Sequence, residues 1–312
     1  MNPSTSSPIA CVGGASLDRR ARLSGPLRPG TSNPVVSMPR DGGVARNVAE
    51  GLAHLGCEVV LFSVVGADEP GASLMAGLAR IGVDTSAVGR SARYPTAAYT
   101  AVLGPSGRLE FGLADMEIFD ELDLRWAETV AGRLSECPIW FVDANLPDVT
   151  LDRLLGARSA GQTVLADPVS VSKSERLRGV LSAIDVLFPD RWEAEAISRI
   201  PVVGTGQVAA AAERILELGV GSVVVTLGPG GVFVADGSRS EALPPIAPHG
   251  PLRDVTGAGD ALIAGYIYAL RTGHGEPIRL GLAAASLVLE SGGSLAEGLS
   301  VDRLRERADE VA

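Results

Sequence analysis

Between residues 122 and 236, apolar strand-like runs alternate with helix-length amphipathic segments, and this alternation constrains the fold more than any single motif. Strands are predicted at Ile139–Asp143, Thr163–Asp167, Ile184–Phe188 and Ser222–Thr226, with helices over 126–134, 150–158, 191–199 and 206–218. A helix between consecutive strands is a crossover, and crossovers join parallel strands covered by helices. The N-terminal part extends the pattern. Ile9–Val12 reads as a buried strand ending at Gly13-Gly14, and Gly42-Gly43 opens a helix over about Val44–Leu55 that Gly56 stops. Val59–Val65 is an apolar strand, and Pro70–Ile81 a helix stopped by Gly82. From Gly257 onward the chain reads as helices only.

Two stretches break the alternation. Residues 22–40 carry prolines and glycines without helical period and read as loop and edge strand, while Thr96–Leu103 and Arg108–Leu113 flank Gly104-Pro105-Ser106-Gly107 as a hairpin. The expected architecture is one α/β domain over 1–312, with a mostly parallel central sheet between helices. A small strand-rich insertion, from about 17–40 and 92–115, is placed at its edge as a lid.

Composition narrows the function classes. An apolar content of 46% supports a sizeable core. A net charge of −10 argues against broad nucleic-acid or anionic-membrane binding, which needs clustered Lys and Arg. Three scattered cysteines, Cys11, Cys57 and Cys137, show no metal spacing and are expected to be reduced thiols. No apolar run approaches the ~18 residues of a spanning helix, and Met1–Pro8 lacks a signal pattern, so a soluble cytoplasmic protein is expected.

The segment Asp254-Val255-Thr256-Gly257-Ala258-Gly259-Asp260 leads into an apolar helix. Small residues at a helix start leave backbone N–H groups free for an anion, and Asp260 stands where it could take a proton from a hydroxyl. An anion cradle beside a base suits phosphoryl transfer to an alcohol. Asp254 and Thr256 add oxygens able to hold a cation. Gly42-Gly43 allow close backbone approach, and Asn47 faces back from the first helical turn. Thr226, Gly228 and Gly231 follow an apolar strand but match neither a Walker loop nor a dinucleotide fingerprint. Asp190 and Glu193 follow another strand, and Glu193 could hold Mg²⁺ through water. Each segment alone also reads as ordinary turn or cap chemistry. Asn145, at a strand end, is a sugar-contact candidate, and Lys173 could meet a phosphate.

The order of these segments resembles the ribokinase-like (PfkB) sugar and nucleoside kinases over about residues 9–300. Gly42-Gly43 looks like that family's first signature and Asp254–Asp260 like its second. Glu193 fits its Asn-x-x-Glu motif, with Asp190 where Asn is usual. The resemblance implies a ribokinase-like three-layer domain using ATP and Mg²⁺, with K⁺ expected at Asp254 and Thr256. It implies Asp260 as general base and the amides of Gly257, Ala258, Gly259 and Asp260 as anion hole. Asp18 would bind ribose hydroxyls, and Gly43 and Asn47 would line the sugar pocket. Asp190, Thr226, Gly228, Gly231 and Lys173 would lie along the nucleotide. A homodimer through the lid is also expected.

Within that family, three segments resemble the pseudouridine kinases: Thr31-Ser32-Asn33-Pro34, the run Gly42–Glu50, and Leu113-Ala114-Asp115-Met116. Asp167-Pro168-Val169-Ser170 with Lys173 resembles that group too. The implied reaction is ATP-dependent phosphorylation of the 5′-hydroxyl of pseudouridine, with Thr31, Asn33 and Asp115 near the base. Asn33 and Asp115 have donors and acceptors suited to a uracil edge. Another sugar or nucleoside acceptor, or a silent ligand-binding protein on this fold, remains open at this stage.

Overall fold

The computed structural model describes residues 7–250, Leu252, 255–291 and 298–310. Its strands are β1 (Ile9–Val12), β2 (Ser16–Leu23), β3 (Val35–Gly42), β4 (Val59–Gly66), β5 (Val88–Ser91), β6 (Ala98–Leu103), β7 (Leu109–Asp115), β8 (Ile139–Asp143), β9 (Thr163–Asp167), β10 (Val186–Leu187), β11 (Ser222–Thr226), β12 (Val232–Asp236) and β13 (Ser240–Leu243). The helices are α1 (Val44–His54), α2 (Glu69–Arg80), α3 (Leu124–Leu134), α4 (Asp148–Gly156), α5 (Val171–Ser174), α6 (Arg191–Ser198), α7 (Thr205–Glu217), α8 (Ala258–Thr272), α9 (Pro277–Glu290) and α10 (Val301–Asp309).

The large sheet has the order β13-β12-β11-β10-β9-β8-β1-β4-β5. It is parallel from β11 to β5, and β12 and β13 close it as an antiparallel meander. Strand alternation divides the apolar side chains between two cores. Ile9, Cys11, Leu61 and Phe141 face α1, α8 and α9, while Ala10, Val12, Phe62 and Trp140 face α3, α4 and α7. Both faces are covered, so all of Val59–Gly66 is buried. This is why these strands read as unbroken apolar runs. Among the described residues, no helix is long and apolar enough to cross a membrane.

The lid is a separate four-stranded sheet, ordered β3-β2-β6-β7. Its outer pairs are antiparallel and its central pair, β2 with β6, is parallel. Three elements differ from the sequence reading. The strand predicted at Ile184–Phe188 shortens to Val186–Leu187, because the chain before it turns as a 3-10 helix over Leu181–Ala183. Ser16–Leu23 is a full strand despite its arginines, since its polar side chains lie over the open side of the lid. The edge strand Ser240–Leu243 carries too few apolar residues to announce itself.

Chain order reverses at β1: β4 pairs on one side and β8 on the other. In open α/β sheets this switch point opens a crevice at the carboxyl ends of the strands. One side chain closes its floor. Asp143, at the end of β8, is 0% exposed. Its Oδ2 accepts from Gly14 N and Ala45 N, each at 2.9 Å, and its Oδ1 from Asn145 N at 2.9 Å. The turn after β1, the start of α1 and the turn after β8 therefore share one carboxylate.

Asp143→Ala leaves these buried donors without their acceptor, at about 1–3 kcal/mol each. We expect a loss of at least about 3 kcal/mol in denaturant unfolding. Asp143→Asn keeps an oxygen for Gly14 and Ala45 and loses clearly less. Equal losses for the two variants would contradict the pinning role.

Candidate active site

The site assembles at that crevice. Gly257, in the left-handed region (φ 78), ends the preceding loop and starts α8. Ala261 N is the donor that reaches back to Gly257 O, at 2.9 Å. Among the described residues, no acceptor engages the amides of Gly259 and Asp260. The start of α8 thus presents N–H groups and the positive end of the helix dipole to the crevice.

Asp260 stands in that first turn. Asn47 Nδ2, from the first turn of α1, donates to its Oδ2 at 2.7 Å. Burial pushes the Asp260 carboxyl up to about 7, against the pull of the Asn47 hydrogen bond, and the nearby charges of Asp143 and Asp18 add to the rise. A carboxyl poised there can both take and hold a proton near neutral pH. Asn47, expected along the sugar pocket, has its amide committed to Asp260.

Asp18 lies on β2 opposite Arg40, and Ser16 Oγ donates to its Oδ1 at 3.2 Å. Burial raises its carboxyl as well. A Cβ on Gly42 would fall 2.3 Å from the Asp18 carboxylate carbon, and one on Gly43 (φ 97) would fall 2.4 Å from Gly14 O. The paired glycines are therefore required by packing at the lid root. Asn145 is buried beside them and accepts from Lys173 Nζ at 2.6 Å.

A second acidic group lies further along the same edge. Asp190 caps α6, its Oδ1 accepting from Trp192 N at 2.7 Å and Glu193 N at 2.8 Å, while Asp190 N donates to Glu193 Oε2 at 2.8 Å. The Asp in place of the family Asn thus completes a capping box with Glu193. Burial pushes Glu193 up to about 7. Asp167, at the end of β9, is raised well above the usual carboxylate range by burial, then by the charges of Glu193 and Asp260. Val169 donates to Asp167 Oδ1 at 2.7 Å from a left-handed backbone (φ 66). A β-branched residue is strained there by about 1–3 kcal/mol. Among the described residues, no group of three His, Cys, Asp or Glu is arranged as a metal cage. Two buried carboxylates, the charge of Glu193 raising Asp167, do fit a hard cation completed by water and phosphate oxygens, the usual way Mg²⁺ is held.

Several expected positions lie elsewhere. Lys173 Nζ meets Asn145 and Met116 Sδ (3.3 Å) on the sugar side of the crevice, so its head does not reach toward the nucleotide turn. Thr226 N bonds Pro189 O and ties β11 to the Asp190 segment. Gly228 is exposed at the turn, but Gly231 is buried, donates to Gly228 O and packs where a Cβ would fall 2.1 Å from Leu243 O. Gly231 is therefore a structural glycine of the β11–β12 connection. Thr256 Oγ1 accepts from the Arg20 guanidinium of the lid. Asp254 lies outside the described residues.

The lid residues meant to read a base are corrected most. Asn33 accepts from Arg28 N at 2.8 Å and donates to Arg28 O and Thr31 O, so its amide staples its own loop. The pairing register sets Asp115 opposite Ala98, and Ala98 opposite Leu17, on the face away from Asp18. Tyr99 pairs with Asp18 and shares its face. A Cβ on Gly112 would fall 2.3 Å from the Tyr99 hydroxyl, so the ring lies across that glycine. Tyr99, Asp143, Asp167, Arg20 and Arg46 were missed as site residues. The strand pattern of β6 gave the only local hint, for Tyr99.

An open anion cradle, a buried carboxylate beside it and a small separate sheet at a switch point suit a small-molecule phosphotransferase. The chain belongs to the pfkB family of carbohydrate kinases, whose model matches residues 9–299. The family's members are ATP-dependent phosphotransferases acting on hydroxyl groups. The chain is 30% identical over 284 residues to a pseudouridine kinase of Escherichia coli, covering 90% of each. A carbohydrate kinase from Agrobacterium tumefaciens superposes with TM-score 0.82 at 30% identity, over 97% of each chain. Arabidopsis thaliana ribokinase, solved with ribose and ATP, superposes with TM-score 0.84 at 22% identity, over 97% of this chain and 98% of that one.

The raised Asp260 carboxyl has a stability consequence. A folded value near 7 against an ordinary 3.8 means the folded state holds a proton that the unfolded state has lost across that window. Stability contributed by the protonated carboxyl is complete below 3.8 and is lost as pH rises toward 7. Asp260→Asn should therefore melt higher than wild type at pH 8, with the gain shrinking toward pH 4. A melting gain independent of pH would contradict the assignment.

Proposed function

We propose that this chain transfers the γ-phosphoryl group of ATP to the 5′-hydroxyl of pseudouridine, giving pseudouridine 5′-phosphate and ADP. The observation that carries the transfer chemistry is Asp260 beside the open amides that start α8, with Asp18 under the lid. The pseudouridine acceptor rests on the similarity to the E. coli pseudouridine kinase.

In this reading, Asp18 binds the ribose hydroxyls and turns the 5′-hydroxyl toward Asp260. Asp260 takes the hydroxyl proton as the oxygen bonds to the γ-phosphorus, and the bond from that phosphorus to the ADP oxygen breaks. The amides of Gly257–Asp260 hold the charge gathering on the transferring group. Asp167 and Glu193 would hold Mg²⁺, which supplies neutralising charge at the phosphates. The exposed turn at Gly228 gives the nucleotide a place along the same edge. Water exclusion falls to the lid, whose site-facing side brings Tyr99 next to Asp18. Tyr99 is assigned as the face on which the base lies, and the Lys173–Asn145 pair as the polar partner deeper in the crevice.

The lid's other face exposes Val35, Phe111 and Leu113. A second copy of the chain covering that face accounts for these apolar side chains. Sedimentation should then show a dimer, and Leu113→Asp should shift it to monomer. A monomeric wild type at assay concentrations would remove this part of the proposal.

The activity is tested by ADP release with ATP and Mg²⁺, with pseudouridine, uridine, cytidine, adenosine and ribose as acceptors and K⁺ present or absent. Turnover should favour pseudouridine. Asp260→Asn should lower kcat about 10²–10⁴-fold. Tyr99→Ala should raise KM for nucleosides about tenfold while sparing ribose, since stacking on a base is worth about 1–3 kcal/mol. Turnover favouring ribose would overturn the nucleoside assignment and leave the kinase chemistry standing.

A further inference from the structure

The Asn47 side chain has an orientation problem that the site as described leaves open. An amide offers an acceptor at one end and donors at the other, and only the donor end suits a carboxylate. The neighbouring residue settles which end faces Asp260. Arg46, in the first turn of α1, is 5% exposed. Its NH1 donates to Asn47 Oδ1 at 2.8 Å and lies 2.7 Å from Glu50 Oε2. Its NH2 lies 3.5 Å from Asp41 Oδ2 at the root of the lid. A guanidinium can only donate, so it claims Oδ1 and turns Nδ2 toward Asp260. The rotated amide would set an oxygen against a carboxylate and an NH₂ against a guanidinium. Two charge-assisted hydrogen bonds would become two repulsions.

We propose that Arg46 is a positioning residue for phosphoryl transfer: it locks the Asn47 amide, so that Asn47 occupies Oδ2 of Asp260 and leaves Oδ1 to the acceptor hydroxyl. Among the described residues, no hydrogen bond engages Oδ1. Glu50 and Asp41 in turn hold the guanidinium, so the lock is built from α1 and the lid root together. The inference rests on the reading of Asp260 as the base. Charged groups that bear on Asp260 are Asp143 and Asp18, which raise its carboxyl, Arg46, which lowers it, and Asp167, whose own charge interacts with it.

The test has two arms on the full chain. The first follows the Asn47 side-chain amide by ¹H–¹⁵N NMR without substrate, assigned by its loss in Asn47→Ala. Wild type should show a dispersed, slowly exchanging NH₂ pair. Arg46→Met should move it to the position of a solvated amide, and Arg46→Lys should give an intermediate result. Arg46→Lys keeps a positive charge beside Glu50, so it reports on the lock even if the methionine variant folds poorly. The second arm is a double-mutant cycle on kcat, using whichever acceptor wild type turns over. Arg46→Met and Asn47→Ala should each lower kcat about 10–100-fold, as lost orienting partners do. The double variant should fall no further than Asn47→Ala. The acidic limb of the pH–rate profile should move to higher pH in both single variants, and further in Arg46→Met, which also removes the Arg46 charge, with acceptor KM within about twofold of wild type.

An Asn47 amide unchanged in Arg46→Met and Arg46→Lys, or additive losses in the cycle, would overturn the lock. A wild type inactive on every acceptor would instead overturn the kinase reading, and with it any catalytic role for Arg46. That result is told apart by its appearing before any substitution is made.

Discussion

A single buried carboxylate holds this active site together. Asp143 gathers backbone amides from three segments that are distant in sequence: Gly14 after β1, Ala45 at the start of α1, and Asn145 beside it after β8. Each of those segments carries a group assigned to the proposed chemistry. The turn at Gly14 leads into β2 and Asp18, the first turn of α1 carries Arg46 and Asn47, and the turn after β8 carries Asn145. Burial makes the Asp143 charge costly, and its accepted hydrogen bonds return much of that cost. The remaining charge is felt by Asp260, whose carboxyl it helps to raise. The group that fixes the geometry therefore also tunes the Asp260 carboxyl.

The same logic explains why the crevice is crowded with acid. Asp18, Asp143, Asp167, Glu193 and Asp260 all sit above their ordinary values, each chiefly through burial. A fold selected for stability alone would not concentrate them. Their positive partners within the protein are few and placed at the margins: Arg46 behind Asn47, Lys173 behind Asn145, Arg20 on the lid. The centre is left for charge that arrives with ligand. Val169, strained two residues after Asp167, belongs to the same pattern of local cost.

Much of the large sheet was legible because its strands are buried on both faces and read as apolar runs. The motif at Gly257–Asp260 reads alone as ordinary turn or cap chemistry, and it was legible through its order with the other segments. What stayed hidden depends on contacts that no local pattern records. Asp143 is an ordinary strand end in sequence, and its partners at Gly14 and Ala45 lie 129 and 98 residues away. Arg46 was given no role of its own in the sequence, and it is ion pairs to Glu50 and Asp41 that let it be buried. Ser16–Leu23 was legible only as part of a strand-rich stretch from about 17, because Arg19 interrupts the alternation of Leu17, Ala21 and Leu23 with Ser16, Asp18, Arg20 and Arg22.

The lid shows most clearly how register decides chemistry. Asp115 and Tyr99 lie on adjacent strands of one hairpin, and both have side chains suited to a uracil. A strand's side chains alternate between faces, so a shift of one residue in pairing would exchange their roles. The observed register pairs Tyr99 with Ala114 and Asp18, and Asp115 with Ala98. The Tyr99 ring therefore shares the face of Asp18 and lies across Gly112, and the Asp115 carboxylate lies on the opposite face of the sheet. Composition names both as candidates, and only the hydrogen-bond ladder chooses between them. A stacking face tolerates any flat base, so the proposed function assigns discrimination among nucleosides to polar groups deeper in the crevice, where Lys173 and Asn145 already hold one another. Selectivity in the proposed reading is built at the carboxyl end of β8, beneath the lid rather than on it.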